Sequence, residues 1–280
     1  MATEQSAGWP TRLILAAGFI FLYAPILVLM IYSFNESRLV TVWSGFSTRW
    51  YGELLNNQQI LGAAWMSVRI AFVSATSALV FGTLASVAIV RFGRFRGKTL
   101  FTGMITAPLV MPEVITGLSL LLLFVTLGQL VGWPQERGMA TIWIAHTTFN
   151  MAYVSVVVSA RLREFDTTLE EAAMDLGAGR LAVFFRITLP IIAPALFSGW
   201  LLAFTLSLDD LVIASFVSGP GSTTLPMVVF SSVRRGVSPE INALATILVG
   251  LVASVSLLSW WLMRRRETQR QRDMQRAALQ

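Results

Sequence analysis

The sequence predicts an all-α integral membrane fold with six transmembrane helices. The chain of 280 residues is 55% hydrophobic and only 13% charged, and its mean hydropathy is +0.68. Soluble domains carry about 25% charged residues, so this composition argues against an ordinary soluble enzyme or binding domain. Six separate apolar stretches are each long enough to cross a bilayer, which takes about 20 residues in a helix. None of them shows the strict alternation of a β-barrel strand.

The predicted spans lie at residues 13–31, 70–90, 105–127, 139–158, 191–216 and 241–263. Glycine and proline inside these stretches do not oppose a helix, because both are more frequent in transmembrane helices than in soluble ones. The first stretch is too long for the apolar core of a signal peptide and is interpreted as a retained helix. The predicted organisation is an N-terminal segment (1–12), a six-helix domain (13–263) and a C-terminal tail (264–280).

Basic residues are concentrated in the loops on one side of the predicted membrane. That side carries the segment 91–98, the loop 161–190 and the tail, whereas the opposite loops carry fewer arginines. Lysine and arginine accumulate in cytoplasmic loops, so both termini are predicted to be cytoplasmic. The net charge of +6 is thereby explained by membrane topology and does not indicate a nucleic-acid partner.

The loop 161–190 contains the most informative local pattern. Thr168 followed by Glu171 predicts a capping box at the start of a short helix. Gly177 is placed to end that helix in a left-handed conformation. A second short helix is expected after it, ended by Pro190. Helical spacing places four small or apolar side chains on one face of the first helix: Leu169, Ala172, Ala173 and Leu176.

The same loop resembles the EAA loop of type I ABC importer permeases. All the fixed positions of that motif are present: Glu171, Ala172, Ala173, Gly177, Ile187, Leu189 and Pro190. The resemblance implies a type I ABC importer permease fold, in which this loop is a coupling helix that docks into a cleft on an ATPase subunit. The residues it assigns to ATPase coupling are Glu170, Glu171, Ala172, Ala173, Asp175, Gly177, Ile187, Leu189 and Pro190.

A narrower resemblance involves three stretches, 204–210, 215–220 and 242–247, which are similar to the putrescine and spermidine branch of these permeases. It implies a polyamine cargo, with putrescine favoured, and a multi-pass subunit of the bacterial cytoplasmic membrane that is not itself an enzyme. The implied partners are a second homologous permease subunit, two ATPase subunits, a periplasmic polyamine-binding protein and membrane lipid, without a cofactor. Another small solute, such as iron or thiamine, remains an alternative cargo.

Ionisable residues within membrane spans are costly and are candidates for function. The candidates for a substrate path are Glu113, Asp209, Asp210 and Asn150. Carboxylates would replace the hydration of an ammonium group. Adjacent residues point about 100° apart on a helix, so one of the two aspartates would face the path. The other would cap a helix, pair with Arg69 or contact the second permease. Such acids equally serve helix packing.

Four other interpretations are weaker. Residues 93–99 have three residues between their glycines, whereas a phosphate-binding loop requires four, so the segment is interpreted as a basic loop. His146, the single histidine, has no neighbouring acids that suggest a metal site or a catalytic triad, and is predicted to form hydrogen bonds between packed helices. A secondary transporter would not use the coupling loop, and no cluster of catalytic side chains indicates a membrane enzyme.

Overall fold

The computed structural model describes residues 9–38, 42–236 and 238–277, and these are mainly helical. Five helices are long and apolar enough to cross a membrane: Trp9–Tyr32, Gln58–Arg91, Glu113–Val131, Met139–Glu164 and Arg180–Asp209. The sixth predicted span lies within a helix over Pro239–Ala277, where several side chains fall outside the described residues. Residues 1–8 of the predicted N-terminal segment also lie outside them. The predicted all-helical membrane architecture is confirmed.

We number the helices in chain order. They are α1 (Trp9–Tyr32), α2 (Arg49–Asn56), α3 (Gln58–Arg91), α4 (Lys98–Thr106), α5 (Glu113–Val131), α6 (Met139–Glu164), α7 (Thr168–Asp175), α8 (Arg180–Val183), α9 (Leu189–Asp209), α10 (Val212–Val217), α11 (Leu225–Arg235) and α12 (Pro239–Ala277). The chain divides into two compact units, one formed by residues 1–58 with 231–280 and the other by residues 59–230.

The first unit contains α1, α2 and α12, and α12 packs against both of the others. The side chain of Asn57, just after α2, donates to Glu240 at the start of α12 over 2.8 Å. The loop before α2 is organised by the buried Asn35, whose amide donates to the Val42 carbonyl over 2.7 Å and accepts from the Ser44 amide over 3.0 Å. Apart from its contact with α12, helix α1 has no fully buried residue among the described residues, so most of its apolar surface can contact lipid or another membrane helix.

The second unit is built around α6, which packs chiefly against α9. Helix α3 approaches α6 closely at Gly82, where a β-carbon would lie only 2.8 Å from Cγ1 of Val154. One turn further along α3, the hydroxyl of Ser86 donates to the Ser155 carbonyl of α6 over 2.9 Å. Small residues and interhelical hydrogen bonds of this kind are typical of packing within membranes, because they let helix backbones approach closely.

The predicted third span, 105–127, is wrong as a single helix. Helix α4 ends at Thr106, a 3₁₀ turn follows over Ala107–Leu109, and α5 begins only at Glu113. Pro112 has an extended backbone conformation (φ −59°, ψ 136°) directly before α5. Proline has no amide proton and disfavours helical geometry in the residue before it, which accounts for the interruption.

The predicted fifth span, 191–216, is also wrong at both ends. Helix α8 continues through a π-helical turn over Phe184–Thr188 into α9, so Pro190 lies inside a continuous helical stretch and does not end a short helix. Proline is accommodated there because it directly follows the π-helical turn, where the regular hydrogen-bond pattern of the α-helix is already interrupted. At the other end, Asp210 is extended (φ −65°, ψ 124°) and separates α9 from α10.

Candidate functional site

Helix α7 carries most of the residues assigned to ATPase coupling, and it begins differently from the predicted capping box. Thr167 is the residue before the helix, and it forms no side-chain cap. The carboxylate of Asp166 instead accepts a hydrogen bond from the Thr168 amide over 3.0 Å. This backbone hydrogen bond, with a further one from the Thr168 side chain, lowers the pKa of Asp166 below its ordinary value. A carboxylate that stays charged at a helix N-terminus also interacts favourably with the helix dipole.

The end of α7 confirms the prediction for Gly177. Its backbone has φ +86°, the left-handed region that glycine enters without a steric penalty. The Gly177 amide donates to the Met174 carbonyl over 2.9 Å, and the Ala178 amide donates to the Ala173 carbonyl over 3.0 Å. These two bonds form a Schellman motif, which satisfies carbonyl groups at the helix end and redirects the chain towards α8.

One face of α7 has no partner in the described chain. The helix contains no buried residue, and Leu169, which belongs to the predicted apolar face, is exposed. Beyond the helix, the side chains of Leu176 and Leu181 are 91% and 75% exposed. Glu171, Ala172 and Asp175 are exposed as well. Large apolar side chains at this exposure, on a short helix, indicate a surface that another protein covers.

Glu170 points away from that surface. One of its carboxylate oxygens accepts a hydrogen bond from the Thr188 hydroxyl over 2.6 Å and pairs with the Arg91 guanidinium over 3.3 Å. The Arg91 guanidinium also lies over the Phe165 ring, 5.2 Å from its centroid. The Glu170 side chain is only 18% exposed. Its bonds to Arg91 and Thr188 connect α7 to the end of α3 and to the π-helical turn before α9. Ile187 and Leu189, beside Thr188, are half-buried, whereas Pro190 is exposed.

We expect Glu170→Ala to loosen α7, because it leaves Arg91 and Thr188 without their shared acceptor. Hydrogen bonds to charged groups contribute about 1.5–3 kcal/mol, so amide exchange in α7 should become at least about tenfold faster. Hydrogen–deuterium exchange of the assembled transporter measures this. Glu164→Ala, which removes an exposed acid outside α7, is the control and should leave the exchange unchanged. Equal exchange in both variants would show that the Arg91–Glu170 pair does not hold the helix.

A buried polar network joins α3, α6 and α9. Nδ1 of His146, which is 2% exposed, lies 2.6 Å from the Ser207 hydroxyl, and Nε2 lies 3.0 Å from Asp210. The Ser207 hydroxyl also accepts from Ser74 over 2.9 Å. The prediction that His146 forms hydrogen bonds between helices is confirmed. Although serine, histidine and aspartate are combined here, the serine is buried and bonded to a second serine, so the arrangement serves packing.

The two adjacent aspartates differ in their surroundings. Asp210 accepts hydrogen bonds from the backbone amides of Ala214 (2.7 Å) and Ile213 (3.3 Å), in addition to its contact with His146. Its partner is therefore His146 and not Arg69, one of the alternatives from the sequence. Asp209 is the last residue of α9 and is exposed. Because the helix ends between them, the expected 100° offset of the two side chains does not apply.

The remaining path candidates lie apart from this network. Glu113 is exposed at the first position of α5, where its negative charge interacts favourably with the helix dipole. Asn150 is 1% exposed, and neither its oxygen nor its nitrogen has a hydrogen-bond partner among the described residues. It does not join His146, one turn away. Within the described part of the chain, no group of three or more His, Asp or Glu side chains could hold a metal ion.

Comparison with known proteins connects this geometry to a family. The family described as "Binding-protein-dependent transport system inner membrane component" matches residues 78–269, which include the loop 161–190 and, from the buried polar network, His146, Ser207 and Asp210. The chain belongs to this family. As a member, it is an inner-membrane translocation subunit and not an enzyme, and the predicted location in the cytoplasmic membrane is confirmed.

Two curated members of this transport family are similar over most of their length. The putrescine transport system permease protein PotI of Escherichia coli (strain K12) is 67% identical over 264 residues, which cover 94% of each chain. The spermidine/putrescine transport system permease protein PotC of the same strain is 44% identical over 237 residues, covering 85% of this chain and 87% of that one. The resemblance to the polyamine branch is confirmed by both.

A solved structure has the same fold at low sequence identity. It is the crystal structure of a bacterial alginate ABC transporter in complex with an alginate pentasaccharide-bound periplasmic protein. The TM-score is 0.67 with 17% identity, and the alignment covers 89% of this chain and 92% of that chain. At this identity the likeness concerns the fold alone, and it confirms the predicted type I ABC permease fold.

Proposed function

We propose that this chain is a permease subunit of an ATP-driven importer that moves putrescine across the bacterial cytoplasmic membrane. The observation that carries the proposal is the 67% identity to a putrescine permease over 94% of both chains. The lower identity to a spermidine/putrescine permease, 44%, favours putrescine over spermidine as the main cargo. A second homologous permease, two ATPase subunits and a periplasmic polyamine-binding protein complete the proposed transporter.

The proposed topology places both termini and the loop 161–190 in the cytoplasm. The basic segments support it, since arginine and lysine accumulate on that side. In this arrangement residues 1–12 and 264–280 flank a six-helix domain over 13–263. The exposed apolar face of α7 then points towards the compartment where an ATPase subunit resides.

The geometry of α7 supports a division of roles in coupling. The exposed Glu171, Ala172 and Asp175 would contact the ATPase, together with the apolar side chains around Leu176. Glu170 would act indirectly as a positioning residue, because it is bonded to Arg91 and Thr188 of the permease itself. Motion of the ATPase would then reach α9 through Glu170 and Thr188, since α9 follows directly after the π-helical turn.

The exposed acids are the better candidates for contact with a diamine. Glu113 and Asp209 are exposed carboxylates at the ends of α5 and α9, so they can replace water around an ammonium group. The carboxylate oxygens of Asp210 are bonded to backbone amides and to His146, so Asp210 would stabilise the chain where α9 ends and α10 begins. Asn150 would offer a buried amide once a conformational change opened its surroundings.

Uptake of labelled putrescine and spermidine, in cells that lack other polyamine importers, tests the proposal. Deletion of this gene should abolish putrescine uptake, and the wild-type gene should restore it. Combining Glu113→Gln with Asp209→Asn should lower putrescine uptake about tenfold or more, since two charges that compensate ammonium dehydration are lost. Glu164→Gln, which neutralises an exposed acid beyond the spans, serves as the control. Unchanged putrescine uptake in the deletion strain would contradict the cargo assignment.

A further inference from the structure

A basic cavity lies where the end of α3, the start of α4 and the end of α6 meet. Its volume is about 700 Å³, within the range of about 300–1,000 Å³ that is typical of small-ligand sites. The side chains of Lys98 and Arg163 line it together with the hydroxyl groups of Thr99, Thr102 and Thr106. A smaller cavity of about 220 Å³ shares Thr102, Thr106 and Arg163 with it and adds further serine residues.

Among the described residues, no carboxylate pairs with the cations of this cavity, although the Lys98 ammonium also lies 5.9 Å from the centroid of the Phe95 ring. The described residues that line it include no carboxylate. The Lys98 ammonium donates to the Gly93 carbonyl over 2.6 Å, which leaves two of its three donors for another acceptor. The nearest acid in sequence to Arg163, Glu164, pairs instead with Arg161 over 3.4 Å. The Thr106 hydroxyl already donates to the Thr102 carbonyl over 2.9 Å. Two cations, together with Thr99 and Thr102, suit an anion with several oxygen acceptors, such as a phosphate.

The surroundings favour a lipid as the source of that phosphate. Leu100 and Met104 extend from the neighbouring face of α4 and are highly exposed, as residues in contact with acyl chains would be. The cavity contains cations and would repel a polyamine, so it is not part of a path for the proposed cargo. In the proposed topology it lies at the cytoplasmic membrane surface, where basic pockets between transmembrane helices bind the headgroups of anionic lipids.

We infer that this cavity binds the phosphate group of an anionic phospholipid from the cytoplasmic leaflet, with Lys98 and Arg163 as its charged contacts. The inference rests on the proposed function only for the orientation of the chain. The bound lipid would connect the start of α4 with the ends of α3 and α6, and the Arg91 partner of Glu170 is the last residue of α3. Lipid composition would thereby influence the elements that position α7.

Native mass spectrometry of the complete transporter, titrated with phosphatidylglycerol or phosphatidylcholine, tests this site. Wild type should retain phosphatidylglycerol preferentially. Lys98→Gln and Arg163→Gln should each weaken that binding about fivefold, the effect of about 1 kcal/mol per cation, and the double variant should lose the preference. Arg161→Gln, on the same turn of α6 but paired with Glu164, is the matched control and should bind as wild type does.

Further experiments could contradict the inference. Lys98→Arg should restore binding, and thermal unfolding should show that all variants are folded. Inorganic phosphate is titrated in parallel and should not displace the lipid at millimolar concentration. Retention of phosphatidylglycerol by the folded double variant would overturn the inference. Binding of inorganic phosphate to the same side chains, without a preference for phosphatidylglycerol, would overturn the lipid assignment too. Both results are independent of which solute is transported.

Discussion

Replacing Asp210 with leucine should destabilise the transporter by about 3 kcal/mol or more. The carboxylate accepts bonds from the Ile213 and Ala214 amides and contacts His146, and leucine would leave all three groups without this partner. A buried polar group without a partner costs about 1–3 kcal/mol, and no water in the membrane core replaces it. We expect a markedly lower thermal unfolding midpoint for the purified assembly, together with reduced recovery from the membrane.

Two variants separate this effect from a loss of charge. Asp210→Asn keeps one oxygen acceptor for the Ala214 amide and His146 and loses mainly the longer bond from the Ile213 amide, so its cost should be about 1 kcal/mol. Asp209→Leu changes the adjacent but exposed residue and should leave the unfolding midpoint nearly unchanged while it lowers putrescine uptake. If Asp209→Leu destabilised the assembly as much as Asp210→Leu, the distinct roles of the two acids would be refuted.

Replacing Gly177 with valine should abolish most putrescine uptake. At φ +86° a residue with a β-carbon is strained by about 1–2 kcal/mol, and a β-branched residue by more. The strain would be relieved by breaking the Schellman bonds of Gly177 and Ala178, which turns the chain after α7 in another direction. We expect at least about a tenfold loss of uptake with a normal amount of assembled transporter, since a small change in the direction of a docking helix disrupts coupling.

Asparagine at the same position distinguishes backbone strain from crowding. No other atom lies within 4 Å of a β-carbon built on Gly177, so the permease itself has room for a side chain. Asparagine tolerates the left-handed region, and Gly177→Asn should retain most of the uptake. Loss of uptake in Gly177→Asn equal to that in Gly177→Val would contradict the backbone explanation and indicate close contact with the ATPase.

The candidate site was partly predictable because its motif is local. The ending of α7 at Gly177 follows from the residue type and its spacing to the helix, and both were readable in the sequence. The orientation of Glu170 was not, since its partners Arg91 and Thr188 are 79 and 18 residues away. No local pattern distinguishes the exposed Glu171 from the acid one position earlier, which anchors the helix to the rest of the permease.

The membrane spans, like the candidate site, were predicted only in part. Apolar composition and length predicted membrane helices, because a bilayer imposes its thickness on every stretch that crosses it. The helix breaks before Glu113 and at Asp210 were not predicted, although the prolines in the third span could have indicated the first of them. The second break depends on His146 and on the amides of α10, which supply partners for an aspartate that would otherwise be costly inside a membrane.

The sequence by itself determined the membrane class, most of the helical segments, the end of α7 at Gly177 and the resemblance to polyamine permeases, because composition, spacing and residue type are local properties. Only the tertiary structure decided that Glu170 faces inward, that Asp210 pairs with His146 across two helices, and that Lys98 and Arg163 share one cavity. Except for the nearer Thr188, these relations join residues from 64 to 79 positions apart, and they arise from which helix faces pack together.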